Sequence, residues 1–235
     1  KNVELGRNFC TKLWNAARFR QMQGGASETE INPALLSSDD KWILLRLNNA
    51  ITEVSTALDE YRFSDATQTL YSFFWTEYCD WYVEASKATL QGTDDKRKAN
   101  TLAVIDFVLG HTLRIFHPFL PFITEELWAV APGPKRDAML VLSAWPKLDG
   151  LDDVKAEAEI GWVVDLITAI RSVRAEMNVN AQLPLVLVAS GESKARAERW
   201  ADQSGAVVTG LTSSLGVLRE DSSRYLASQH VLLER

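Results

Sequence analysis

Apolar residues recur along most of the chain at alternating steps of three and four, the spacing that gathers them on one face of an α-helix. The clearest run covers residues 41 to 61, where Leu44, Leu47, Ile51, Val54, Leu58 and Tyr61 form one stripe and Ser37, Ser38 and Asp39 supply candidate caps. Ser64 to about Leu90 predicts a helix of another kind, with Leu70, Phe73, Phe74, Glu77 and Trp81 on one side and Tyr71, Trp75, Tyr78 and Tyr82 on others. Aromatic residues nearly all round require burial between neighbours. Gln91 to Asp95 reads as a turn, and Leu102, Ile105, Leu109, Thr112 and Phe116 mark a further helix that Pro118 ends. The elbow HPFLPF, residues 117 to 122, leads to a short helix over Thr124 to Val130.

Pro132, Gly133 and Pro134 then break the pattern, and Ala144-Trp145-Pro146 closes a loop with room for one short strand at Met139 to Leu142. Helical spacing returns over 152 to 176, through Ile160, Val163, Val164, Ile167, Ile170 and Arg174. Beyond Asn178 the character changes: LPLVLVAS, residues 183 to 190, is a short β-branched run that reads as a strand, Lys194 to Gln203 as a helix and Gln229 to Leu233 as a second strand. The expected fold is mainly α, a helical bundle over residues 1–178 followed by a small mixed α/β piece over 179–235.

Composition adds bounds. The 235 residues are 46% hydrophobic and 24% charged, enough for a sizeable core without covalent staples. Apolar runs stop well short of the roughly 20 residues of a membrane span, and no basic-then-apolar leader opens the sequence, so no membrane partner is expected. The two cysteines, Cys10 and Cys79, have neither CxxC spacing nor disulfide-scaffold density, which fits a reducing cytoplasm. A net charge of −6 argues against a sheath for nucleic-acid backbones, yet residues 1 to 22 alone carry +4.

Catalytic and metal chemistry finds little support. Two of the three histidines, His111 and His117, fall on different faces of a helix and His230 stands apart, so structural histidines are the better reading than a zinc site or a triad. Gly24-Gly25 fits an interhelical turn and lacks the spacing of a phosphate-binding loop. Glu125-Glu126 and Asp152-Asp153 project to different sides of a helix, and Asp94 to Lys98 is a self-compensating helix start. No catalytic residue, metal ligand or cofactor is assigned to the chain.

The segment Phe9 to Phe19, FCTKLWNAARF, mixes aromatic, amide and basic residues. At about 100° per residue, Asn8, Lys12, Asn15 and Phe19 share one stripe, and Phe9, Leu13, Ala16, Ala17 and Arg20 form the adjacent, mainly apolar one. An aromatic ring beside hydrogen-bonding side chains suits an unstacked base, whose face stacks and whose edges are read, at roughly 1 to 3 kcal/mol per stacked base. The same pattern is met by Phe19 packing under the 23 to 36 loop with Lys12 and Asn15 merely solvated. Trp14 and Arg18 lie on a third face, and Trp14 is expected in the core against a neighbouring helix.

Five stretches, GRNFCTKLWNAARF (6–19), FSDATQTLYSFFWTEYCDWYVEASK (63–87), HPFLPFITEELW (117–128), SAWP (143–146) and IRSVRAEMNV (170–179), together resemble the anticodon-binding region of the valyl-tRNA synthetase family, one of the class I aminoacyl-tRNA synthetases. The elbow is shared with the isoleucyl, leucyl and methionyl enzymes, whereas the first stretch and EYCDWYVEASK are closer to the valine enzyme. The resemblance implies a helical bundle that docks on the anticodon stem and reads the middle and third anticodon bases. It places the base pocket at Lys12, Phe19 and Val83; Asn8, Asn15 and Arg18, on the same or a flanking face of the helix, are lesser candidates as base-edge or phosphate donors.

Two departures accompany it: Asn180-Ala181-Gln182 stands where the family usually has a proline pair, and the sequence stops near Arg235, before the long coiled-coil arm with which the family grips tRNA; neither an HxGH-like nor a KMSKS-like signature occurs in it. The chain is therefore expected to be a monomeric fragment that binds tRNA and docks on the enzyme's own catalytic domain. ATP and Mg belong to that absent domain, and so does the attachment of valine. The competing readings are the equivalent region of an isoleucine or methionine enzyme, and a helical scaffold without RNA affinity that docks on a catalytic domain or another protein through Trp14 and the surface aromatics.

Overall fold

The computed structural model describes residues 2–24, 30–130, 138–148, 154–176, 178, 185–187 and 215–217. The chain divides into two compact units, residues 1–158 and 159–235. The first is a bundle built from α1 (Asn2–Met22), α2 (Ser38–Asp59), α3 (Phe63–Tyr71), α4 (Val83–Leu90), α5 (Asp95–Phe116) and α6 (Pro121–Val130), and α7 (Val154–Glu176) crosses the boundary between the units. In the second unit β1 (Leu185–Leu187) pairs in parallel with β2 (Leu215–Val217). The expected strand over 183 to 190 is thus present at its centre. The helix expected over 194 to 203, the strand over 229 to 233 and the departure at 180 to 182 lie outside the described residues.

Both long central helices follow the hydrophobic spacing. In α2 the stripe Leu44, Leu47, Ile51 and Val54 is buried, but so are Trp42, Ile43 and Leu45, because the helix has neighbours on more than one side. Ser37 caps it: its side chain accepts from the Asp40 N–H, and the Asp40 carboxylate accepts from the Ser37 N–H, two orphan donors satisfied reciprocally. Tyr61, expected to extend the stripe, lies past the helix end. It is 80% exposed and has φ 57°, a left-handed turn conformation that removes it from the helical period. In α5 all five predicted positions, Leu102 to Phe116, are buried, and Asp94 caps the start by accepting from the N–H groups of Lys96 and Arg97.

The aromatic helix is continuous from α3 to α4, but its middle, Ser72–Tyr82, is π-helical. Bonding i to i+5 widens the turn. Rings four residues apart then face one another: Tyr71 and Trp75 stack at 5.4 Å, Phe74 and Tyr78 at 5.8 Å, and Tyr78 and Tyr82 at 6.1 Å. Burial on several sides, read from the aromatic spread, is met by Phe73, Phe74, Tyr78, Trp81 and Tyr82.

Two sequence expectations are corrected here. The short helix α6 begins at Pro121 and not at Thr124, since a proline at the first helical position forgoes only an N–H that would be orphaned anyway. Residues Leu140–Leu142 form a 3-10 turn and not a strand. Leu140 alone turns inward, its N–H bonded to Glu125 Oε1 at 2.8 Å, while Val141 and Leu142 stay exposed. The loop that follows is tied to α2 by Trp145 Nε1 donating to Ser55 Oγ at 2.8 Å. No described helix is long and apolar enough to cross a membrane.

Candidate nucleic-acid interface

The apolar stripe of α1 decides how the rest of that helix faces. Leu13, Ala16 and Ala17 are buried, and the half-buried Phe9 ring meets Tyr71, Phe74 and Phe116 with centroids 5.4 to 5.6 Å away. Edge-to-face and offset rings of this kind add to the burial term. Arg20 closes the same stripe at 1% exposure. Its Nε and Nη2 donate to the two Asp106 oxygens at 2.7 and 2.9 Å, and its Nη1 donates to the Gly24 carbonyl at 3.0 Å. A buried fork-to-fork pair therefore fastens α1 to α5. Gly24 takes φ +60°, the left-handed cap that ends the helix and lets its carbonyl turn back to Arg20.

With that side fixed, Asn8 and Asn15 are exposed, and Lys12 and Phe19 sit half-buried at the edge of the bundle. Lys12 Nζ bonds Asp80 Oδ1 at 2.9 Å and lies 5.0 Å from the centroid of the Trp75 ring. Partial burial opposes the ammonium, but the Asp80 hydrogen bond and charge outweigh it and hold the Lys12 pKa above its ordinary value. Val83 lies three residues beyond Asp80 on the same continuous helix and is itself buried at 8% exposure. The structure thus joins Lys12 to the helix that carries Val83, keeps Asn8, Asn15 and Phe19 along the same side of α1, and leaves Arg18 exposed on the flank.

Trp14 is corrected by the same geometry. It is 45% exposed and not in the core, because the aromatic cluster around Phe9 and the Arg20–Asp106 pair rotate α1 so that positions 14 and 18 face outward. Asp80 and the Arg20–Asp106 pair were not singled out by the sequence. One signal existed for the latter: Asp106 interrupts the otherwise apolar run from Leu102 to Leu109.

The two described histidines each have a partner within the bundle. His111 Nδ1 lies 2.8 Å from the Phe107 carbonyl, with burial lowering its pKa, and His117 Nδ1 lies 2.8 Å from Thr124 Oγ1. Among the described residues no three His, Cys, Asp or Glu side chains are grouped so as to hold a metal ion. A cavity of about 220 Å³ lies beside Arg46, Glu53, Gln68 and Glu77, and its one guanidinium is bonded by Glu77. The outward side of α1 presents a partly open ring, two amides, and an ammonium–carboxylate pair.

Residues 40–189 match a family model described as the anticodon-binding domain of tRNA ligase. The valine–tRNA ligase of Rhodopseudomonas palustris is 42% identical over 85% of this chain and 25% of its own length. That of Rhizobium meliloti is 44% identical over 77% of this chain and 20% of its own length, and that of Bradyrhizobium diazoefficiens is 42% identical over 85% and 25%. The chain spans about a quarter of the length of the curated relatives it matches. The α1 stripe precedes the segment that the family model covers.

Proposed function

The chain belongs to the family of anticodon-binding domains of tRNA ligases, and on that premise we propose that it is the part of a cytoplasmic, monomeric valine–tRNA ligase that takes the anticodon stem-loop of valine tRNA. The observation that carries the proposal is the outward side of α1, where Asn8, Lys12, Asn15 and Phe19 line up beside the helix that bears Val83. Phe19 offers the stacking face for an unpaired base. Lys12 and the two amides offer edge contacts, Val83 the aliphatic wall, and Arg18 a phosphate contact on the flank. Reading of the middle and third anticodon bases follows from this assignment. The joining of valine to tRNA, with its ATP and magnesium, is the work of the ligase's catalytic part, on which this chain docks.

The test is direct binding of the 235-residue chain to two stem-loops, one with a valine anticodon and one with its middle base changed. The valine loop should bind more tightly, and Phe19→Ala should remove the difference, a loss of about 1 to 3 kcal/mol for one stacked base. Equal binding of both loops by the unaltered chain would overturn the proposal. A preference for an isoleucine or methionine anticodon would reassign the amino acid. The 45% exposure of Trp14 favours one further contact, with the catalytic part of the same ligase, since large exposed aromatics anchor interfaces.

A further inference from the structure

Lys12 does not offer a free cation. Its ammonium is bonded to Asp80 at 2.9 Å and rests 5.0 Å from the Trp75 ring centroid, and Trp75 is itself stacked on Tyr71. The Lys12 and Asp80 side chains remain 32% and 43% exposed, so the pair sits at the open edge of the α1 face and not in the core. A phosphate approaching this ammonium meets the repulsion of a carboxylate that already neutralises it. A neutral partner does not, and because an ammonium has three donors and Asp80 uses only Oδ1 toward Lys12, an acceptor oxygen is left beside a donor. The pairing edge of an unpaired base, which sets an acceptor next to a donor, is complementary to that arrangement.

We infer that Asp80 is a specificity-determining residue: it holds Lys12 as the donor half of a donor–acceptor pair that reads a base edge, and it keeps Lys12 from acting as a phosphate contact. This rests on the anticodon reading above, and it adds a residue and a division of labour to it. Affinity for the backbone is left to Arg7 and Arg18, the exposed cations of α1. Discrimination between bases is concentrated at Lys12, Asp80 and Phe19.

The experiment measures the binding of the same two stem-loops across a salt series, for the unaltered chain and for Asp80→Asn, Asp80→Glu and Lys12→Gln, each checked for helicity by circular dichroism. Asp80→Asn releases the ammonium. Both loops should then bind more tightly at low salt, the slope of log K against log salt should steepen by about 0.7, the value for one single-strand phosphate, and the preference for the valine loop should fall about tenfold. Asp80→Glu should restore the preference, and Lys12→Gln should lose it without a change of slope. Two results overturn the inference while leaving the anticodon reading intact: Asp80→Asn that keeps both slope and preference while Phe19→Ala abolishes the preference, or Lys12→Gln that makes the slope shallower by about 0.7. An unaltered chain without preference overturns both.

Discussion

Replacing Asp106 by Asn should unsettle the bundle far more than a single surface charge would. The Arg20 and Asp106 side chains are 1% and 5% exposed, and the carboxylate receives two charge-assisted bonds, at 2.7 and 2.9 Å. Taking away one partner leaves a guanidinium buried without its countercharge, at a cost of about 3–5 kcal/mol. Against the roughly 5–15 kcal/mol that holds a typical domain together, that loss is about a fifth or more. The pair as a whole is worth much less, because desolvation of both ions offsets most of their attraction. Arg20→Met with Asp106→Leu should therefore regain most of the stability lost in either single variant. Urea titration with an unchanged m-value is the assay, and low sensitivity to added salt is the accompanying sign, since a buried pair is poorly screened. A single-variant cost below about 1 kcal/mol, or a double variant as unstable as the worse single one, would refute the claim that the pair is buried and mutually dependent.

Cys79 is 7% exposed and burial pushes its thiol up to about 12, so alkylation of the folded chain at pH 8 should modify Cys10, which is half-buried, and spare Cys79 until denaturant is added. Labelling of both thiols at equal rates in the native state would contradict the packing of the π-helical segment. Burial raises the Asp40 carboxyl above its ordinary 3.8, against the opposing hydrogen bonds from Ser37 and Tyr82. Its contribution to stability is therefore complete below that value and is lost as pH rises through the raised one. Relative to Asp40→Asn, the unaltered chain should lose stability as pH climbs from about 4 toward neutrality, read as the difference between the two urea midpoints. A difference that moves the other way would mean that the hydrogen bonds outweigh burial.

Periodicity carried the helices because each needs only its own residues to declare a face: Leu44 to Val54 and Leu102 to Phe116 are buried as their spacing requires. It also carried the division of α1 into an inner stripe and an outward one, since Phe9, Leu13, Ala16 and Ala17 share a face whatever they meet. What stayed hidden depends on partners remote in sequence. Arg20 in an apolar stripe looks like an interruption until Asp106, 86 residues on, is placed against it. Asp80 looks like a solvated acid until Lys12 is placed against it. Trp14 is expected against a neighbouring helix, but no described helix covers that third face once the rotation of α1 is set by Phe9 and Arg20, and it is 45% exposed. The 139–142 segment has the residues of a strand, but a lone strand needs a partner edge, and the bond from Leu140 to Glu125 turns it into 3-10 structure instead.

The ion pair between α1 and α5 also sets an order in time. During synthesis at about 5–20 residues per second, Arg20 is made roughly 4 to 17 s before Asp106, so α1 spends that interval with its guanidinium unmatched. Closing so long a loop costs chain entropy before the contact can repay it. Within the bundle α1 thus precedes the helix it is fastened to, and the face proposed to recognise RNA is held in place only once α5 stands behind it.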